Sequence, residues 1–363
     1  MVLNTICKFV DIDIYLLYFI DLTTIANITS LSREQYQIIH EQNFFKELYA
    51  LMNRQENAEE LNLLRGHRPI KISNIIDYAS LDNCESLIRY LDESVNKFEF
   101  TSNTITYASF YGHVSILNFF SNNNKYEFKY TERAIDWASH NKHINVLDWF
   151  DKSKYEFKYT DNAIDYAAAN GYISVLDWFD KSVYEFKYTH NAIDLACQNG
   201  NIYVLDWFDK SVYEFKYTDN AIDYAAGHGY MSILDWFDKS KYEFKYSGMA
   251  IIWASKNGYV DVLDWFDKSV HEFKYSVIWS DAIDLAASNG HIEVLNWFDN
   301  SAYGFKYRVF AINYASKNGY IDVLEWFKNS RHKVMYTKDA VINAENNNHA
   351  NIVEWFEEYE KSL

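Results

Sequence analysis

YEFKYTDNAIDYAAANGYISVLDWFDKSV, residues 155–183, is followed at once by YEFKYTHNAIDLACQNGNIYVLDWFDKSV, residues 184–212. These two stretches have the same length and differ at few positions, so the chain contains a tandem repeat. Tryptophan marks the period at Trp149, Trp178, Trp207, Trp236 and Trp265 in steps of 29, then at Trp297 after 32, then at Trp326 and Trp355 in steps of 29. Less regular copies at 76–91 and 105–120 bring the array to about ten units over 69–360.

Each unit is predicted to contain two short helices and one extended segment. Thr160 is a typical helix N-cap, as is Thr131 or Thr218 in other copies, and Asn-Gly at 170–171 is typical of a helix end. A second helix is predicted from about residue 172, since apolar residues recur there at helical spacing. In 155–159 aromatic and charged side chains alternate, which predicts an extended segment with one buried side.

A unit of two helices exposes both of its sides, so a single copy cannot enclose a core. Stacking on the neighbouring copies supplies the missing walls. We therefore predict an all-α fold: a helical solenoid of about ten repeats preceded by a small helical domain.

Composition narrows the class of protein. The chain has 363 residues with 34 basic and 51 acidic side chains, a formal net charge of −17, which argues against a nucleic-acid partner. Three scattered cysteines, Cys7, Cys84 and Cys197, fit a reducing compartment better than a disulfide framework. Aspartates interrupt the apolar N-terminal stretch, so we expect no membrane span and no signal peptide there. These features favour a cytoplasmic protein.

The first helix and its turn resemble the ankyrin repeat. The alanine pair of that family falls at Ala167-Ala168, and its Gly-His pair stands at 112–113 and 290–291. This chain departs from the pattern in having Ala163 for the proline, Asp165 for the histidine, and 29 residues where ankyrin uses about 33. The sequence of the repeat is also similar to that of the large sets of paralogous ankyrin-repeat proteins in giant DNA viruses of amoebae. The resemblance implies protein binding, in the viral case in the host cytoplasm.

Residues 1–68 contain no repeat, and 14–49 resemble an F-box without its usual Leu-Pro opening. The resemblance implies docking of a Skp-type linker subunit of a cullin ubiquitin ligase through Leu16, Leu17, Leu22 and Ile25, while the repeats at 69–360 hold the substrate. The alternative is that 1–68 serve only as a helical cap for the solenoid.

No catalytic or metal-binding motif is present in the sequence, so we expect no enzyme activity, no cofactor and no bound metal. The recurring aspartates at 148, 177, 206, 235 and 264 are interpreted as a solvated stripe beside neighbouring lysines. The Trp-Phe pairs are interpreted as core and Cys197 as a small buried thiol. The turn histidines His113, His143, His291 and His349 are interpreted as structural groups, for which the ankyrin resemblance implies hydrogen bonding between neighbouring units.

The broken period is the most informative irregularity. Three extra residues precede Trp297, and the apolar side chains there and in the next unit are Val277, Ile278, Trp279, Val309 and Phe310. Together they are a candidate partner-binding patch, whereas the alternative is that Trp279 fills a local gap in the core. The predicted function is a non-enzymatic protein-interaction scaffold that serves as a ligase adaptor; the alternative is a purely structural or decoy array.

Overall fold

A computed structural model describes residues 72–81, 83, 85–94, 98–273 and 279–362. Over these residues the chain forms twenty α-helices and no strand. They are α1 Ile72–Leu81, α2 Glu85–Ser94, α3 Ser102–Phe110, α4 Val114–Asn122, α5 Arg133–His140, α6 Ile144–Lys152, α7 Asn162–Ala169, α8 Ile173–Lys181, α9 Asn191–Gln198, α10 Ile202–Lys210, α11 Asp219–Gly227, α12 Met231–Lys239, α13 Met249–Lys256, α14 Val260–Lys268, α15 Trp279–Ser288, α16 Ile292–Asn300, α17 Val309–Asn318, α18 Ile321–Asn329, α19 Lys338–Asn346 and α20 Ala350–Ser362.

Every repeat contributes one odd-numbered and one even-numbered helix, which confirms the predicted all-α class. The connector that joins an even helix to the next odd helix is neither helix nor strand. In the connector at 155–159, Tyr159 is buried whereas Glu156 is exposed, as the alternating pattern predicts.

The chain divides into two compact units, 1–164 with 177–187 and 165–176 with 188–363. In the first unit α1 packs on α3, and α3 packs on α5. In the second, the odd helices from α9 to α19 pack one against the next in chain order. Each unit therefore has the serial helix stacking of a solenoid.

The core repeats with the sequence. Odd helices bury an Ala-Ile pair such as Ala221-Ile222, and even helices bury residues such as Ile233 and Leu234 together with one phenylalanine. Nine phenylalanines at that position are at most 2% exposed: Phe120, Phe150, Phe179, Phe208, Phe237, Phe266, Phe298, Phe327 and Phe356. Truncating one to alanine is expected to cost about 3–5 kcal/mol of stability.

Helix starts and ends follow the local signals with one exception. The hydroxyl of Thr218 accepts a hydrogen bond from the Asn220 amide, and that of Thr160 accepts one from the Asn162 amide at 3.2 Å. At α5 the predicted cap by Thr131 is wrong: its carbonyl accepts a bond from the Ala134 amide at 3.1 Å, but no α5 amide donates to its hydroxyl as the Asn162 amide does to that of Thr160. Here the preceding connector is one residue longer than in the next copy.

None of the helices in the described ranges has the length and apolar content needed to cross a bilayer.

Candidate functional site

A carboxylate on most odd helices holds the start of the next odd helix. Asp136 is 7% exposed, and its oxygens accept hydrogen bonds from the Thr160 amide at 2.9 Å and the Thr160 hydroxyl at 2.7 Å. We call this pair of bonds the clamp. It recurs between Asp194 and Thr218 and between Asp223 and Ser247. Because both oxygens are occupied and buried, the clamp aspartate is a structural group.

Burial changes the ionisation of these aspartates. It raises the pKa of Asp136 and Asp284, and it raises the pKa of Asp223 to about 6. The hydrogen bonds from the next unit lower the pKa of these aspartates, since they stabilise the ionised form. Ionising the clamp at neutral pH therefore carries a desolvation cost that the two hydrogen bonds only partly offset.

In each of these clamps the aspartate bonds to a residue that follows it by 24 positions. Thr106 and Ile252 stand where the aspartate belongs, and the connectors that follow them are longer, by one residue and by three. A buried carboxylate without its donors would be strongly unfavourable. The aspartate is therefore replaced in the two units whose connectors are longer. One of the replacements, Ile252, is an apolar residue that is only 6% exposed.

A second set of bonds joins the even helices. The indole Nε1 of Trp178 donates to Asp148 at 2.7 Å, and that of Trp265 donates to Asp235 at 2.8 Å. Trp297 donates to Asp264 at 2.7 Å across the three-residue insertion. Other acceptors at the same position are Asn118, Asn296 and Glu325. We call this series the indole ladder.

The indole ladder corrects two interpretations of the sequence. The recurring aspartates are not simply a solvated stripe, because those whose bonds are named above accept a bond from the following unit. Lysines do lie beside some of them, as Lys268 does 3.0 Å from Asp264. Of each Trp-Phe pair, only the phenylalanine is fully buried in most units, and tryptophans such as Trp178 keep one edge in solvent.

The connectors add aromatic contacts between units. The Tyr217 hydroxyl donates to the Glu243 carbonyl, and the Lys245 ammonium lies 4.1 Å from the centroid of the Tyr217 ring. Burial raises the pKa of Tyr217 to about 12. These contacts recur from copy to copy, so they account for the aromatic repetition by structure alone.

One side of the odd helices takes no part in the clamp or the core. In the second compact unit it carries the residue directly after each clamp position. We call these residues the stripe: Tyr166, Leu195, Tyr224, Trp253, Leu285 and Tyr314. All are partly solvent-exposed, with Tyr314 the most exposed at 45%. Their residue type changes from unit to unit, whereas the core and clamp types largely do not.

Trp253 is held in a fixed position on the stripe. Its ring stacks on Tyr224 with centroids 5.5 Å apart and an interplanar angle of 5°. A Cβ at Gly227 would lie 2.9 Å from the Trp253 Cβ, so glycine is needed there. Alanine occupies the same position as Ala169 in the unit whose neighbour presents Leu195. Glycine at position 227 therefore permits the close approach of the Trp253 Cβ in this pair of units.

The charges of α13 to α18 are divided between the odd and the even helices. On α13, α15 and α17 the only carboxylates are Asp281 and Asp284, and Arg308 is paired with both. Lys256 and Lys317 are exposed on the same row. The even helices α14, α16 and α18 carry Asp261, Asp264, Asp267, Glu293, Asp299, Asp322 and Glu325 against Lys268 and Lys328. The acidity of the chain in this region lies mainly on the even row.

The structure describes only part of the predicted partner patch. Phe310, 43% exposed, lies in the first turn of α17, where its ring stacks on Tyr314 at 5.9 Å and on the Arg308 guanidinium at 5.1 Å. Val309 beside it is half-buried. Trp279 begins α15, but its side chain lies outside the described residues, as do Val277 and Ile278.

The predicted docking residues Leu16, Leu17, Leu22 and Ile25 also lie outside the described part of the chain. Their role stays a prediction.

The remaining candidates behave as structural groups. Cys197 is fully buried, and burial raises the pKa of its thiol well above the ordinary value. The ring of His113 is 3.0 Å from the Ser80 carbonyl and that of His349 is 3.1 Å from the Lys317 carbonyl, which confirms hydrogen bonding between units. Among the described residues no group of three or more His, Cys, Asp or Glu could hold a metal ion.

Comparison with known proteins gave two results. No family model matches the chain, and no curated protein matches it. The geometry alone therefore supports one description, that of a helical repeat protein whose units are joined by a clamp on the odd helices and an indole ladder on the even helices.

Proposed function

We propose that this protein is a non-enzymatic interaction scaffold that holds a protein partner against the stripe of its second compact unit. One observation carries the proposal: aromatic and aliphatic side chains remain partly exposed at a position whose residue type varies, while the positions that join the units stay nearly constant. Trp and Tyr are the residues that most often dominate protein interfaces. A fixed Trp253 between Tyr224 and Leu285 is the natural centre of such an interface.

An ankyrin-type array is the class that we propose for the scaffold. Support comes from the short helix pairs, the Ala-Ala pair in α7, α11 and α15, and the glycine turn between the two helices of most units. The clamp aspartate takes the place of the ankyrin histidine, and its two bonds to the next unit give that departure a structural reason. The resemblance to the ankyrin sets of amoebal viruses implies the host cytoplasm, and we propose that location.

A ligase adaptor role for 1–68 is the more specific form of the proposal, and its support is the F-box resemblance of 14–49. Full-length protein is expected to co-purify with a Skp-type linker subunit. Charged substitutions at Leu16 and Leu17 should abolish this while the helical circular dichroism signal is retained. If the linker does not bind where a known F-box protein binds it, residues 1–68 are a cap.

Site-specific photocrosslinking tests the scaffold itself. A benzophenone amino acid is placed at position 253 or 314, and at position 203 as a control, because Tyr203 is 76% exposed on the even helix α10. We expect one partner to be captured from positions 253 and 314 and not from 203. Equal capture from all three positions, or from none, would favour the alternative of a structural or decoy array.

A further inference from the structure

Two lysines stand at the same register position of the odd row, one turn after stripe residues. Lys256 follows Trp253 on α13, and Lys317 follows Tyr314 on α17. Both are exposed, and neither has a carboxylate within ion-pair distance among the described residues. In a chain of net charge −17 these are unneutralised cations on an otherwise acidic molecule.

The surroundings of these lysines contain no competing free anion from the same helices. Asp284 is buried and receives the Arg308 Nε at 2.7 Å, and Asp281 pairs with the same guanidinium. Neither α13 nor α17 contains an acidic residue. An anionic ligand that approaches α13 and α17 therefore meets positive charge, while the carboxylates of the even helices α14, α16 and α18 repel it.

Apolar side chains lie one turn before the lysines, whereas the buried Ser288 stands in register between the lysines themselves. Leu285 on α15 lies in register between Trp253 and Tyr314, and Phe310 extends the surface at the start of α17. A small inorganic anion would leave these side chains in water. A chain that carries both carboxylates and apolar side chains would use the whole surface.

We infer that the odd-helix face of α13, α15 and α17 binds an acidic protein segment with apolar side chains between its carboxylates. The inference rests on the proposed function and adds the chemistry of the partner. Packed helices lie about 8–10 Å apart, so α13 and α17 are about 16–20 Å apart. An extended chain covers this span in about five or six residues. Two carboxylates at that separation reach Lys256 and Lys317, and a residue between them contacts Leu285.

The test uses the full chain as bait for a displayed library of random peptides of about twelve residues. Enriched peptides are synthesised with a fluorescent label, and their dissociation constants are measured by anisotropy. We expect enrichment of pairs of Asp or Glu at the stated separation with aromatic or aliphatic residues between them. Raising the salt concentration should weaken binding, because the lysine contacts are solvent-exposed.

Four proteins separate the contributions: wild type, Lys256→Glu/Lys317→Glu, Lys210→Glu/Lys328→Glu and Trp253→Ala. The first double variant should weaken binding at least about tenfold, since it replaces two attractions by two repulsions. The second carries the same change of charge on exposed even-helix lysines and should stay within about twofold of wild type. Trp253→Ala should also weaken binding about tenfold or more.

The outcomes are distinguishable. Peptides that depend on Trp253 but not on Lys256 and Lys317 overturn the acidic-segment inference and leave the scaffold proposal standing. Selected peptides whose binding depends on neither Trp253 nor the two lysines, or no enriched peptide, overturn the inference, and photocrosslinking at positions 253 and 314 then decides the scaffold proposal. Single-stranded RNA and phosphatidylserine vesicles are measured in parallel. If either binds as tightly as the peptides with the same lysine dependence, the face is a general anion surface and the inference fails.

Discussion

Replacing Asp223 by asparagine is expected to stabilise the protein at neutral pH. Burial raises the pKa of this carboxyl from 3.8 to about 6 in the folded state. The folded protein therefore holds the proton more tightly than the unfolded chain. The resulting contribution to stability is complete below pH 3.8 and is lost as the pH rises through about 6. At pH 7 the wild type carries an ionised, buried carboxylate, which asparagine replaces by a neutral group.

The size of the effect follows from the difference of about two pKa units. Each unit corresponds to about 1.4 kcal/mol, so the largest expected gain is about 3 kcal/mol at pH 7 and about 1 kcal/mol at pH 4.5. Asparagine can form the clamp, as Asn313 already does. Its amide donates to the Thr337 hydroxyl at 2.7 Å, and its carbonyl accepts from the Thr337 amide at 3.1 Å. Ser247 offers the same two groups to residue 223.

Urea unfolding of wild type and Asp223→Asn at pH 7 and pH 4.5 measures the difference. Repeat arrays can unfold in stages, so hydrogen exchange of the α11 amides is followed as a local measure of the same free energy. The control is the reverse change, Asn313→Asp, which should lower stability at pH 7 and lose less at pH 4.5. A variant at position 223 that is less stable than wild type at pH 7, or whose gain is the same at both pH values, would refute the account of the clamp.

Three further predictions follow from the contacts between units. Asp235→Ala removes the acceptor of Trp265 and should lower the free energy of unfolding by about 0.5–1.5 kcal/mol, whereas Asp235→Asn should retain most of it, as measured by urea unfolding. Gly227→Ala should lower the free energy of unfolding by about 1–3 kcal/mol although alanine favours helices, because the added Cβ clashes with Trp253. The control Ala169→Gly changes only the helix propensity at the equivalent position and should cost about 1 kcal/mol. The Cys197 thiol should be alkylated only after unfolding, by peptide mass spectrometry at pH 8; labelling of native protein as fast as of a free peptide would contradict its burial.

Periodicity made the architecture predictable. The nearly constant interval between tryptophans, the Ala-Ile core and the glycine turns each report a local requirement that recurs in most units. Local signals of this kind predict helix existence well, and the structure confirms the helix pairs. The Thr131 cap failed because a cap depends on where the connector delivers the chain, which the local sequence at the helix start does not specify.

The bonds between units were harder to infer, because most of them join residues that are 24 positions apart in the clamp and 30 in the indole ladder. Considered alone, the aspartate of an even helix looks like a surface residue and the tryptophan like a core residue. The signal was present in the numbering, since an acceptor precedes most of the tryptophans by 30 residues. This relation is recognised only when the positions of the acceptors are compared with those of the tryptophans. The partial exposure of the stripe could not be deduced from the sequence, because it depends on which side of the odd helix the core and the clamp use.

The two sets of bonds respond differently to the three-residue insertion, and this difference indicates where the array tolerates change. Trp297 reaches Asp264 at 2.7 Å although 33 residues separate them, so the indole ladder continues through the insertion. The clamp does not continue in its usual form, because Ile252 replaces the aspartate in that unit. Continuity of the even row preserves the stacking of the units, while the odd row gains freedom in length and residue type. The stripe belongs to the odd row, and Trp253 directly follows Ile252. The row that carries Lys256, Trp253 and Phe310 therefore changes in connector length as well as in exposed residue type, which is where a surface selected for a partner is expected to differ from a surface selected only for folding.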